Sequence, residues 1–150
     1  MKKLFILFSF LLVFSLAEQI KVPNFTFQNL EGNKVEFYEI TKGKDTVIIE
    51  FFTTWCSYCK EQAKELNELR KIVTSDKLLI IGISLDRDPK IVDKYLKNNK
   101  IAFPVFMGSR EVADFFEISG IPVSVVFGKD LVFLEKVVGF RGKEFFFSKI

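Results

Sequence analysis

Histidine is absent from this chain of 150 residues, and cysteine occurs only twice. The lack of histidine excludes catalytic triads, general bases and metal sites that depend on an imidazole. A structural zinc site needs about four cysteine or histidine ligands, which two cysteines cannot supply. We therefore predict that the chain holds no metal site.

A strong excess of charge of one sign is also lacking. The formal net charge is +3, and two of the positive charges belong to Lys2 and Lys3. The rest of the chain carries 20 basic and 19 acidic side chains. Nucleic-acid-binding domains concentrate positive charge on one surface, so this nearly neutral balance predicts no nucleic-acid partner.

The N-terminal segment has the pattern of an export signal. Lys2 and Lys3 precede an apolar run over residues 4–17, which ends in Ser15-Leu16-Ala17. The small residues at its end predict cleavage before Glu18. As a helix the run would span about 21 Å, less than the bilayer core of about 30 Å, so an uncleaved anchor would need tilt or local thinning.

This pattern divides the chain into two parts. Residues 1–17 are predicted to be a signal peptide or an N-terminal membrane anchor, and residues 18–150 one folded domain. In both cases the domain lies in the periplasm or at the outer face of the cytoplasmic membrane. We expect it to be a monomer.

The folded part alternates between strand and helix patterns. Apolar runs and alternating segments predict strands at residues 22–27, 35–37, 46–52, 78–85, 103–106, 123–127 and 131–138. Helical spacing and cap residues predict helices at residues 57–73, 89–98, 110–116 and 143–150, with Asp86 or Asp88 as the cap of the second. Strands alternating with helices, followed by a closing hairpin, predict an α/β domain with a mixed sheet.

The two cysteines, Cys56 and Cys59, stand between a predicted buried strand and a predicted helix. The first turn of a helix presents free N–H groups and the positive end of its dipole, which stabilise a thiolate at Cys56. Cys59, one turn later, can attack a mixed disulfide formed at Cys56 and release the substrate. The alternatives are a structural disulfide, which would stabilise little across so short a loop, and a chance pair.

Several segments together resemble the thioredoxin superfamily, in particular its extracytoplasmic ResA/TlpA-like branch. They are Pro23-Asn24-Phe25 with Gly32, residues 47–60 with Trp55-Cys56-Ser57-Tyr58-Cys59-Lys60, residues 81–86, Phe103-Pro104-Val105, Gly120-Ile121-Pro122-Val123 and Gly139. The resemblance covers about residues 22–142. It implies a thioredoxin fold, with a mixed β-sheet flanked by helices and an N-terminal β-hairpin extension. Cys56 and Cys59 would be the redox-active disulfide, with no other cofactor.

The resemblance also implies a substrate-binding surface beside the cysteines, formed by Trp55, Ile121 and Pro122. Pro122 would follow a cis peptide bond, which proline tolerates, and a substrate segment could pair with the Ile121 backbone as an added strand. The residues alone would favour an ordinary trans proline that opens a strand.

Glu50 is a carboxylate within an apolar run and matches the place of the buried acid of cytoplasmic thioredoxins, six residues before the first cysteine. A desolvated glutamate has a raised pKa and could take the proton of Cys59 as that thiol attacks, which would make it a third catalytic residue. The alternative is a glutamate at a solvent-facing edge.

Three departures from the family pattern leave the identity of the proton acceptor open. The branch usually has glutamate three residues after the second cysteine, where this chain has Gln62, and proline before that cysteine, where it has Tyr58. Cytoplasmic thioredoxins pair their buried acid with a lysine on the next strand, and residues 78–85 contain none.

The leading functional hypothesis is a thiol–disulfide oxidoreductase that reduces disulfides in exported proteins and receives electrons from a membrane thiol–disulfide carrier. Resemblance alone implies apocytochromes c as substrates, and a generic reductase or an oxidant is also compatible. A thiol peroxidase is an alternative, because Thr53 has the peroxiredoxin spacing to Cys56. A copper(I)-delivery module is another, because copper(I) favours thiolates, although such proteins normally add a histidine.

Overall fold

The computed structural model describes residues 21–150. The export signal predicted for residues 1–17 lies outside the described residues. Between residues 21 and 150, none of the helices has the length and apolar character needed to cross a bilayer.

The centre of the fold is a pair of parallel strands, β3 (Thr46–Phe52) and β4 (Leu78–Ser84). All residues of β3 are buried, which explains why it reads as a nearly continuous apolar run. The bounds of β3 agree with the prediction, and β4 ends one residue earlier than predicted. Both strands end at the same edge of the sheet, where the two cysteines follow β3.

The remaining strands complete one mixed sheet of seven in the order β2-β1-β5-β4-β3-β6-β7. They are β1 (Thr26–Gln28), β2 (Lys34–Glu36), β5 (Val105–Met107), β6 (Val123–Phe127) and β7 (Phe133–Val138). β4 pairs with β5 in parallel, whereas the pairs β1·β2, β1·β5, β3·β6 and β6·β7 are antiparallel. The mixed sheet and the N-terminal hairpin, formed by β1 and β2, are thus confirmed.

Five helices cover the two faces of this sheet. They are α1 (Phe37–Thr41), α2 (Ser57–Ile72), α3 (Pro89–Asn99), α4 (Arg110–Phe115) and α5 (Lys143–Phe147). Apolar residues of α1 and α4 pack with Val47, Ile49 and Phe51 of β3 on one face. Residues of α2, α3 and α5 pack with Ile48 and Phe52 on the other. Because side chains alternate along a strand, Glu50 lies on the α2 face.

The N-terminal elements differ most from the prediction. The strand expected at residues 22–27 begins only at Thr26 and ends one residue later than predicted, at Gln28, and Phe37, expected in a strand, begins helix α1. The cause is a contact between distant residues, since the Asn24 side chain accepts the N–H of Tyr38 at 2.8 Å in the first turn of α1. Smaller shifts place β5 at Val105–Met107 instead of 103–106, and α5 ends at Phe147.

Candidate active site

The cysteine pair lies where β3 passes into α2. Cys56 has an extended backbone conformation and caps α2, and its sulfur accepts the backbone N–H of Cys59 at 3.1 Å. The two residues form a disulfide, with their Cα atoms 5.2 Å apart. Cys59 is only 1% exposed, whereas Cys56 is partly exposed. An incoming thiolate can therefore reach the sulfur of Cys56, and the sulfur of Cys59 is the leaving group.

The loop that carries Cys56 is hydrogen-bonded to one carboxylate at the end of β4. Asp86 accepts the backbone N–H of Thr54 at 2.8 Å and its hydroxyl at 3.0 Å, and it also accepts the hydroxyl of Ser84 at 2.8 Å. The sequence suggested Asp86 only as a possible helix cap, and the cap of α3 is Asp88. The sequence signal for this role of Asp86 is its place directly after a buried strand, at the edge of the sheet that holds the cysteines.

Glu50 is buried in the centre of the sheet and is 1% exposed, so the alternative of a solvent-facing edge is wrong. Its Oε2 accepts the hydroxyl of Ser124 on β6 at 2.5 Å. Burial raises the pKa of Glu50 to about 8, and the Ser124 hydrogen bond opposes this rise only in part. Below that pH the carboxyl is protonated while the disulfide is intact.

β4, the strand next to Glu50, supplies no cationic side chain that could offset the cost of burying the Glu50 carboxylate. The residue opposite Glu50 on β4 is Gly82. A Cβ atom at Gly82 would lie 2.9 Å from Cγ2 of Val105, 3.1 Å from Phe52 and 3.3 Å from Phe103, because these side chains fill the space above it. Glycine is therefore required here by close packing, and apolar groups occupy the place from which a lysine could reach Glu50.

Glu50 and Cys59 line the same small cavity, beneath the active-site surface. The other lining residues are mostly apolar, namely Phe52, Ala63, Tyr95, Ile101 and Phe103. None of the seven lining side chains is basic. The structure thus brings two of the three predicted catalytic residues together in an apolar, acidic environment.

Gln62 does not line this cavity, although the ResA/TlpA-like branch that the sequence resembles usually has glutamate at its position. It is fully buried, and its amide holds the backbone of Arg141 in the segment before α5. Among the described residues, Glu50 is therefore the carboxyl that accompanies Cys59 in its cavity. The contact between Gln62 and Arg141 spans 79 residues of chain and had no signal in the sequence.

The predicted substrate-binding residues lie before β6 and before α2. The peptide bond between Ile121 and Pro122 is cis, as the resemblance implies. Ile121 is partly buried and packs against the same apolar cluster as Cys56, and Trp55 is 77% exposed. Strand pairing in β6 begins only at Val123, so Ile121 lies beyond the end of the sheet ladder.

Potential metal ligands are scattered across the described part of the chain. Within residues 21–150, no three His, Cys, Asp or Glu side chains are grouped so that they could hold a metal ion.

The fold and the cysteine pair define a thiol–disulfide oxidoreductase of the thioredoxin fold. The model of the AhpC/TSA family matches residues 19–133. A thiol-disulfide oxidoreductase ResA of Bacillus cereus is 30% identical over 83% of this chain and 71% of its own length. The chain therefore belongs to the AhpC/TSA family and, within it, to the ResA-like thiol–disulfide oxidoreductases.

Solved structures agree with this assignment. A thiol:disulfide interchange protein of the thioredoxin family from Chlorobium tepidum has a TM-score of 0.73 and 28% identity, over 83% of this chain and 88% of its own. StoA from Bacillus subtilis has a TM-score of 0.67 and 23% identity, over 81% of this chain and 92% of its own, which supports the fold.

Proposed function

We propose that the protein reduces disulfide bonds of exported proteins outside the cytoplasm. The observation that carries the direction of electron flow is the environment of Cys59, which combines a buried carboxyl with apolar side chains and no basic lining residue. The strong oxidant among thioredoxin-fold proteins owes its potential to a stabilised reduced form. Here the apolar and acidic lining of the cavity opposes negative charge on Cys59, so the only thiolate that stabilises the reduced form is that of Cys56, at the first turn of α2. This limited stabilisation of the reduced form supports a protein that passes its electrons on.

The forward reaction proceeds in two exchanges. The Cys56 thiolate, stabilised by the first turn of α2, attacks one sulfur of a substrate disulfide and releases the other as a thiolate. The Cys59 thiol then loses its proton to Glu50, which the return reaction leaves as a carboxylate, and attacks the Cys56 sulfur of the mixed disulfide. The substrate leaves as its second thiolate, so it has gained two electrons and Cys56–Cys59 is oxidised.

The return reaction uses the same groups in reverse. A dithiol carrier in the membrane attacks the accessible sulfur of Cys56, and Cys59 departs as a thiolate. Because burial raises the pKa of Glu50 to about 8, its carboxyl is protonated near neutral pH and gives this proton to Cys59. The carrier becomes a disulfide when its second thiol attacks the mixed disulfide and releases Cys56.

The surface around Cys56 is suited to an extended substrate segment. Trp55 is exposed beside the disulfide, and the Ile121 backbone lies beyond the last paired residue of β6. A segment that adds to this edge as a short strand would be held mainly through its backbone, which gives affinity without strong side-chain selection. This arrangement supports protein disulfides, rather than small molecules, as substrates.

Apocytochromes c are the proposed substrates, because their haem attachment segment is a Cys-Xaa-Xaa-Cys-His motif that must be reduced. The test mixes the reduced protein with an oxidised peptide carrying this motif, and with a scrambled disulfide peptide of equal composition. We expect full reduction of both peptides, and about tenfold faster reduction of the first. Equal rates would contradict the proposal that apocytochromes c are the substrates. Peptides that remain oxidised would contradict the proposed reductase activity.

Peroxide reduction is the second candidate function, and it rests on Thr53. The Thr53 hydroxyl is buried three residues before Cys56 and has no hydrogen-bond partner within the described part of the chain. A threonine hydroxyl at this spacing could orient a peroxide oxygen toward the thiolate. Fast formation of a sulfenic acid at Cys56 in dilute peroxide, lost in Thr53→Val, would support this function, and slow oxidation would exclude it.

A further inference from the structure

Tyr95 is a partly buried tyrosine whose buried hydroxyl has no part in the reaction described so far. It lies on α3, and its ring stacks on Phe52 of β3 with the ring centroids 5.7 Å apart. The hydroxyl oxygen is inaccessible to solvent and makes no hydrogen bond to any residue between 21 and 150. Buried hydroxyls are nearly always paired, so an unpaired one next to an active site needs an explanation.

Glu50, which lines the same cavity as this tyrosine, carries a second unpaired oxygen. Oε1 of Glu50 is buried and also makes no hydrogen bond within residues 21–150, whereas Oε2 accepts from Ser124. The cavity measures about 10 Å³ and is lined by Glu50, Cys59 and Tyr95 among its seven residues. A single buried water needs about 10–15 Å³ and two to four polar partners, which this cavity supplies.

We propose that Tyr95 is a positioning residue for proton transfer, because its hydroxyl and Glu50 Oε1 together hold one water that passes the proton between Glu50 and Cys59. The inference deepens the proposed function, since it rests on Glu50 as the proton acceptor and donor. When Cys59 attacks, its proton moves to the water and a proton of the water moves to Glu50. The return reaction reverses both transfers, so no proton is gained or lost in the cycle.

Burial, together with nearby carboxylates, keeps the Tyr95 hydroxyl protonated, so that it acts as a hydrogen-bond donor. Burial, followed by the carboxylates of Asp86, Glu50 and Glu61, raises the pKa of Tyr95 to about 12. These carboxylates come from β3, from α2 and from the loop between β4 and α3. A donor at this place stabilises the ionised form of Glu50 through the water, which allows Glu50 to accept as well as to give a proton.

The test replaces single atoms and follows the pH dependence of one exchange. Dithiothreitol reduces the oxidised protein, and the fluorescence of Trp55, the only tryptophan, reports the reaction. With the rate corrected for dithiothreitol ionisation, the wild-type rate is expected to fall as pH rises through the pKa of Glu50. In Tyr95→Phe we expect the rate at pH 7 to be about tenfold lower than in wild type. This loss is smaller than the full contribution that general acid–base catalysis usually makes to a rate. The midpoint of the pH profile should also move to higher pH.

Two further variants separate the possible results. Tyr38→Phe removes a tyrosine hydroxyl that donates to Val22 on the opposite face of the sheet, and we expect it to keep the wild-type profile. Glu50→Gln should abolish the pH dependence. A wild-type profile in Tyr95→Phe, with the dependence lost in Glu50→Gln, would overturn the role of Tyr95 and leave that of Glu50. A wild-type profile in Glu50→Gln would overturn the proton-transfer role of Glu50 itself. Equal unfolding temperatures for Tyr95→Phe and wild type show that a slower rate does not arise from a loosened fold.

Discussion

The side-chain amide of Gln62 holds the backbone of Arg141 with both of its polar atoms. Nε2 donates to the Arg141 carbonyl at 2.9 Å, and Oε1 accepts the Arg141 N–H at 2.8 Å. An amide satisfies both groups at once, because it carries an NH2 donor group and a carbonyl acceptor, whereas a carboxylate carries acceptors only. The contact fixes the segment before α5 against α2 and explains why glutamine is suited to this position.

Gln62→Glu should therefore destabilise the oxidised protein by about 1–3 kcal/mol at pH 7, since a buried carboxylate would face the Arg141 carbonyl. Urea unfolding measures this loss, which should shrink at acid pH as the new carboxyl gains a proton. Asn67→Asp is a matched control, because Asn67 binds the carbonyl of Lys100 and the N–H of Ala102 in the same way at a half-buried place. A loss in Asn67→Asp as large as that in Gln62→Glu would contradict the argument from burial.

Asp86 links the active-site loop to the end of β4, and its removal should affect both stability and rate. Asp86→Ala leaves the Thr54 N–H and two hydroxyls without their acceptor, which should lower the free energy of unfolding by about 1–3 kcal/mol. Because Thr54 is two residues before Cys56, we also expect the rate of disulfide exchange to fall by about tenfold.

The control for this prediction is Asp88→Ala, which removes the cap of α3 two residues further on. It should lower the free energy of unfolding by about 1 kcal/mol without slowing the exchange. If both variants slow the exchange equally, Asp86 does not position the cysteine loop.

The raised pKa of Glu50 makes stability depend on pH. With a pKa of about 8 in the folded protein and an ordinary value of 4.5 in the unfolded chain, the folded form holds a proton that the unfolded form has lost. The contribution of Glu50 to the free energy of unfolding is therefore greatest below about 4.5, falls as pH rises toward 8, and then levels off. Other carboxyl groups add their own dependence, so the variant must be compared with wild type.

Glu50→Gln removes this contribution. Relative to wild type, the variant should gain stability between pH 5 and pH 8, on the order of a few kcal/mol. Urea unfolding of the oxidised proteins across this range measures the difference. A difference that stays constant across this range would contradict a raised pKa of Glu50.

Close packing opposite Glu50 leads to a prediction for Gly82. In Gly82→Ala the new methyl group meets Val105, Phe52 and Phe103 at 3.3 Å or less, which should lower the free energy of unfolding by about 1–3 kcal/mol. Gly120→Ala is the comparison, because the nearest atom to its new Cβ would be 4.0 Å away and its φ is not positive. Equal unfolding midpoints for the two variants would contradict the packing argument.

The sequence predicts those features that depend on neighbouring residues. β3 is found at the predicted residues because a continuous apolar run lies between a polar break and the cysteine motif. The burial of Glu50 agrees with its place in that run, whereas the cis bond before Pro122 came from the family resemblance. Helix α1 was missed because it has only five residues, too few for a helical period, and because Asn24 supplies a cap from outside the helix.

The features that escaped prediction all join distant segments. Asp86 is 32 residues from Thr54, and Gln62 is 79 residues from Arg141. In the sequence Tyr95 is one more aromatic residue of an amphipathic helix, and only its packing on Phe52 of β3 brings it to the cavity of Glu50. Such contacts depend on how the elements pack, which local patterns do not encode.

We propose that the cavity around Cys59 makes the protein a reductant, and the reduction potential of Cys56–Cys59 tests this most directly. The protein is equilibrated in dithiothreitol and glutathione redox buffers, and the reduced fraction of Cys56–Cys59 gives the midpoint. We predict a value near or below that of thioredoxin, about −270 mV. A value near that of the strong periplasmic oxidant, about −120 mV, would contradict the account and would identify a disulfide donor.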